Sequence, residues 1–163
     1  MFNQKADAWV VSEEDAERVE ELSLWMLADS SHTGGALGAN RLRLDVGMAG
    51  AKPHYHQQSS EAFYVLDGTL SMLVDDRMIS VGKGGYVVVP PGLPHAFGAA
   101  PHDSVDLFIT LTPGIDRFDY FRILPRILRG ELSDHQLAEL HHQYDVHFVD
   151  SPTWDAARQQ AAS

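Results

Sequence analysis

PHYHQQSSEAFYVLDG, residues 53–68, and GGYVVVPPGLPH, residues 84–95, decide how this chain folds. In an extended strand successive side chains alternate between faces, so His54 and His56 point the same way and stand close enough to share one ion. Glu61 opens the next apolar run, 61–66, which stops at Asp67-Gly68, a hairpin signature. In the second stretch Pro90 and Gly92 set a tight turn that delivers His95 onto a new strand, with Phe97 on the same face. Three imidazoles and one carboxylate suit a borderline divalent ion such as Zn, Fe, Ni, Co or Mn. No thiolate competes, because the chain contains no cysteine.

Outward from these stretches, short alternating or apolar runs recur at 41–46, 54–57, 61–66, 69–74, 78–81, 86–89, 95–98 and 105–111. Gly34-Gly35, Gly47, Asp75-Asp76, Gly82 and Gly84-Gly85 punctuate them. Many short strands at near-regular spacing predict an all-β sandwich or barrel over about residues 36–111. Ser12 and Asp15 have the form of a capping box and predict a short N-terminal helix over 16–22. After Thr112-Pro113-Gly114 the period turns helical. A helix is expected over 116–124, interrupted at Pro125, then a second from the capping box Ser133/Gln136 to about 144, and a third at Ser151-Pro152. This C-terminal extension, about 115–163, is too short to hold its own core and is expected to pack on the barrel or on a second subunit. The whole chain, 1–163, reads as one domain.

A formal charge of -11 disfavours phosphate backbones and anionic membrane surfaces, leaving a small molecule as the better partner class. The plain alternative for that charge is solubility. The first 22 residues carry no apolar run flanked by basic residues, and no later run is long enough to span a bilayer. With the lack of cysteine, this fits a cytoplasmic location.

Two spaced motifs then carry a resemblance. Gly50, His54, His56, Glu61 and Gly68 fill the first motif of the cupin superfamily, and Gly84, Pro90, Gly92 and His95 fill the second. The spacing of Gly50 ahead of His54 departs from the usual pattern, and Ala99 stands where the family usually has Asn. The resemblance spans roughly 41–111. It implies a single cupin β-barrel, a double-stranded β-helix of jelly-roll type, with His54, His56, Glu61 and His95 holding one divalent transition metal per chain: Ni, Fe, Co or Mn, with Zn as an alternative. It also implies a homodimer, for which exposed strand edges and an apolar outer face argue independently. Within the superfamily the chain is similar to small dioxygenases of the bacterial flavonol (quercetin) 2,4-dioxygenase kind. That similarity implies O2 and a flavonol-like or other enolisable aromatic molecule as substrates, with Glu61 as ligand and base. Non-oxidative metal-dependent cyclases or isomerases of polyketide-like substrates share fold and ligands, as do non-catalytic small-molecule binders.

By strand alternation Phe63, Met72, Phe97 and Phe108 are expected to wall an apolar pocket above the metal, with plain core packing as the bland reading of each. Phe118 and Phe121 are expected to form a lid swung on Pro113-Gly114, so that truncation after Leu111 would impair turnover more than metal content. Arg117 and Arg122 are candidates for gripping a substrate anion, with helix-surface ion pairing as the alternative. His32, His102, His135, His141, His142 and His147 read as ordinary hydrogen-bonded histidines.

Overall fold

A long strand organises the fold. The computed structural model describes residues 7–161, with strands β1 (Glu17–Val19), β2 (Leu24–Ala28), β3 (Gly38–Leu44), β4 (His54–Tyr55), β5 (Ser60–Val74), β6 (Arg77–Gly82), β7 (Tyr86–Val89), β8 (His95–Ala99), β9 (Val105–Thr112) and β10 (His147–Phe148). Its helices are α1 (Phe118–Leu128), α2 (Asp134–Gln143) and α3 (Pro152–Ala161). The first half of β5 pairs with β9 on one side and β7 on the other, and its second half pairs with β8 and β6, all antiparallel. Beyond β9 lie β3, β2 and β1; beyond β8 lie β4 and β10. The fold is therefore mainly β, with two sheets that share β5 and face each other across one apolar core.

Asp67-Gly68 does not form the hairpin that the local sequence predicts. The strand runs straight through it, and the register with β9 slips there by one residue, from Val65↔Leu107 to Asp67↔Asp106. A one-residue bulge reverses the parity of a strand. Glu61, Phe63 and Val65 face the core before it, Leu70 and Met72 after it, so one strand serves both sheets. Gly68 takes φ +75 at this point, and a Cβ there would fall on the carbonyl oxygen of Ser104. Only glycine meets both conditions.

The N-terminal helix over 16–22 is also corrected. Ser12 caps a single turn, accepting from the Asp15 amide and donating to its carboxylate. The chain then enters β1, whose pairing with Leu24, Trp25 and Met26 outweighs the weak helical propensity of so short a segment. Only Glu20–Leu22 keeps a helical form, as a 3-10 turn.

Three helices follow the barrel as expected, with one boundary changed. α1 runs on through Pro125 to Leu128 rather than breaking there. The carboxylate of Asp29 holds its N-terminal end by accepting from the Arg117 and Phe118 amides. Ser133 and Gln136 form the capping box of α2, and Ser151 caps α3 by accepting from the Trp154 amide. Trp154 packs on Leu73 and Ala96, covering the outer face of the second sheet. Among the described residues, no helix is long and apolar enough to cross a membrane.

Candidate metal centre

Three strand ends and one loop bring the four chelating residues together. His54 on β4 is the register partner of His95 at the start of β8, His56 follows β4 directly, and Glu61 is the second residue of β5. The Gly92 amide donates to the His56 carbonyl, joining the Pro90–Gly92 turn to the His54–His56 segment. One ligand atom from each of His54, His56, Glu61 and His95 lies within 4.8 Å of all the others. Glu61 Oε2 stands 2.7 Å from His95 Nε2, 3.2 Å from His56 Nε2 and 3.9 Å from His54 Nε2. No member of the group is more than 5% exposed.

The opposite ring nitrogens decide what this cluster offers. Nδ1 of His54 lies 2.7 Å from the Lys52 carbonyl oxygen, Nδ1 of His56 2.7 Å from that of Asp145, and Nδ1 of His95 3.0 Å from that of Leu93. A carbonyl oxygen only accepts, so each Nδ1 carries a hydrogen and Nε2 is the ring atom turned toward Glu61; without an ion, the His95 Nε2 proton donates to that carboxylate. Metal-ligating histidines are oriented by this device. Burial leaves His54 hard to protonate, and with the neighbouring His95 and His56 it drives its pKa down to about 3 against a raising pull from Glu61. Desolvation pulls the Glu61 carboxyl up, but His56 and His95 outweigh it and hold the group well below the usual carboxylate range. His95 is the counterpart: burial lowers it, yet the hydrogen bond and charge of Glu61 leave it raised. Three imidazoles, of which His95 releases one proton, and a buried anion form a donor set that can hold one divalent transition ion.

This arrangement coincides with a family assignment. Residues 40–110 match the family model described as a cupin domain. The stretch from β3 into β9 is thus similar to a cupin domain. Its sequence is similar to quercetin 2,3-dioxygenase of Bacillus subtilis (strain 168), 29% identical over 79 residues. The aligned part is 48% of this chain but 23% of that protein, so the chain spans about a quarter of its curated relative's length. Solved structures share the fold. A nucleoside dehydratase from Streptomyces superposes with a TM-score of 0.53 at 16% identity, covering 68% of this chain and 87% of that one. The polyketide cyclase RemF from Streptomyces resistomycificus gives 0.53 at 20% identity, covering 64% and 78%.

Of the residues expected to wall the cupin pocket, Phe63, Met72 and Phe97 face the core, with the Phe63 ring 5.0 Å from Phe97 and 6.2 Å from His95. Phe108 is a correction. β9 turns Val105, Leu107, Ile109 and Leu111 inward, which puts Phe108 on the outer face beside Tyr64 and Arg41. The 105–111 run shows this alternation, with Phe108 out of phase with Val105, Leu107, Ile109 and Leu111. Phe118 and Phe121 of α1 pack against the same core as Phe63 and Phe97. Arg122 is taken up on the surface by Glu17 and Asp119.

Asp145 is the functional residue that sequence reasoning missed. It follows α2 with φ 54 and is 2% exposed. Its carbonyl receives His56, while its carboxylate accepts from the Gln57 and Gln58 amides at 2.9 and 2.8 Å and from His147 Nε2 at 3.0 Å. These bonds hold its carboxyl below the ordinary aspartate value despite the opposing effect of burial. β10, two residues on, pairs with β4 and sets Phe148 against His54. The C-terminal extension is thus part of the frame around the cluster of His54, His56, Glu61 and His95. Its one local signal is a polar residue just past a helix end, where αL geometry is common.

Proposed function

We propose that this cupin is a metal-dependent dioxygenase acting on an enolisable aromatic small molecule of the flavonol type. The observation that carries the reading is the convergence of three Nε2 atoms, on rings each fixed at Nδ1 by a carbonyl, around one buried carboxylate. The similarity to quercetin 2,3-dioxygenase supports the choice of substrate class. His54, His56, Glu61 and His95 hold the ion, which supplies Lewis acidity toward the substrate's enolic oxygen when bound. Glu61, kept anionic by its histidine neighbours, takes the enol proton. Phe63 and Phe97 give an aromatic substrate a flat apolar seat, and Phe118 and Phe121 keep bulk water from it.

The test is O2 uptake by protein reloaded separately with Fe, Ni, Co, Mn and Zn, using a flavonol and several enolisable phenols. Uptake that needs both metal and substrate establishes the reading and identifies the working ion. Metal retention with substrate conversion but no uptake transfers the site to non-oxidative cyclase or isomerase chemistry.

A further inference from the structure

Among the described residues three arginines are half-buried, and two of them are fully engaged. Arg41 forks onto Asp106 and also reaches Glu13, and Arg158 donates to the carbonyls of Gly47 and Ala99. The Arg117 guanidinium forms no ion pair with a described carboxylate, and its Nε is buried without any hydrogen-bond acceptor. The chain carries 23 acidic residues against 12 lysines and arginines, so acceptors are abundant. An unsatisfied buried guanidinium N–H is a standing cost to the fold that calls for a physical explanation.

Its surroundings supply one. Arg117 immediately precedes α1, with its backbone fixed to Asp29, and its guanidinium carbon lies 5.5 and 5.4 Å from the ring centroids of Tyr120 and Phe121. These contacts orient the cation without neutralising it. With Asp29, Asn40, Leu111, Phe118 and Phe121 it lines a void of about 10 Å³, room for one oxygen atom or water. Leu111, which lines this void, is the register partner of Glu61 on the adjacent strand and ties the void to the strand that carries that carboxylate.

We propose that Arg117 is a substrate anchor: its free guanidinium edge receives a carboxylate or ionised phenol carried by the substrate away from the atom that meets the metal centre. The inference rests on the proposed function and narrows its substrate class to anionic aromatics. A net charge of -11 repels such molecules, so a cation kept free beside the centre is what lets one settle there. The planar fork of arginine suits a carboxylate better than the point charge of lysine.

Fluorescence titration of nickel-loaded protein with 3-hydroxyflavone and with 3-hydroxyflavone bearing a carboxylate on its phenyl ring tests this. Wild type is expected to prefer the carboxylate by about tenfold or more. Arg117→Gln should erase that preference, weakening the carboxylate probe far more than the neutral one, and Arg117→Lys should restore part of it. Because the unpaired guanidinium costs stability, the thermal midpoint of Arg117→Gln should equal or exceed that of wild type. Binding of the neutral flavonol with no carboxylate preference, or a preference that survives in Arg117→Gln, overturns the anchor alone. A fallen midpoint with both probes weakened equally assigns Arg117 a structural role and overturns it too. Nickel-loaded wild type that binds neither probe removes the flavonol reading and the anchor together.

Discussion

His56 donates its Nδ1 hydrogen to the carbonyl oxygen of Asp145, 2.7 Å away and 89 residues further along the chain. The bond fixes the tautomer that presents Nε2 to Glu61, and the Asp145 carboxylate secures the next two amides, of Gln57 and Gln58. Asp145→Ala leaves both amides without acceptors while keeping the carbonyl. Metal affinity, measured by competition with a chromophoric chelator, should fall about 10–100-fold. The urea midpoint should drop by the equivalent of about 1–3 kcal/mol. Asn keeps one acceptor oxygen and tolerates the αL backbone, so Asp145→Asn should fall between. A chain ended at Leu111 should lose metal as well as turnover, against the expectation for a simple lid. Unchanged metal affinity in Asp145→Ala would sink the argument.

Gly68→Ala should destabilise the fold by about 2 kcal/mol or more, since it combines a positive φ with overlap on backbone that cannot yield. The measurement is equilibrium denaturation. A change below about 0.5 kcal/mol would mean that the bulge can relax and that β5 is not tied to Ser104 as described.

Gly68 also marks the limit of what the sequence made legible. Alternation located the strands and the motif spacing located His54, His56, Glu61 and His95, because both are local properties of an extended chain. A glycine after an aspartate signals a hairpin and a bulge alike, and only the pairing of β5 with β9 and β8 separates them. The pairing of Glu17–Val19 with β2 removed the N-terminal helix in the same way. Asp145 was hidden because its partners are 87 to 89 residues away. Phe108 was within reach, since its own strand alternates against it.

Asp106 on β9 accepts from Arg41 at 2.9 and 2.7 Å and from Arg43 at 2.8 Å, both on neighbouring β3. Burial pulls its carboxyl up, but the two arginines leave it below the ordinary value of 3.8. The unfolded chain therefore takes up this proton first as pH falls. The stabilisation is fully present above about pH 4 and is lost as pH drops through the folded value. Asp106→Asn should lower the thermal midpoint at pH 7 and flatten its fall between pH 5 and 2 relative to wild type. Parallel midpoint curves would show that the cluster contributes nothing to acid stability.

Glu61→Gln tests the chemistry with the least change in shape. The amide keeps an oxygen that can face an ion but loses the negative charge and most of its basicity. It also ends the interaction that raises His95, so a proton no longer balances a carboxylate in the metal-free pocket. Metal affinity should fall, yet the three Nε2 atoms remain held from behind, so saturating metal should still fill the site. O2 uptake by that filled variant should fall about 100-fold or more, the usual worth of a general base. Because elemental analysis reports occupancy separately from turnover, the two losses are distinguishable. Full turnover in a metal-filled Glu61→Gln protein would remove Glu61 as the base and leave it only a ligand.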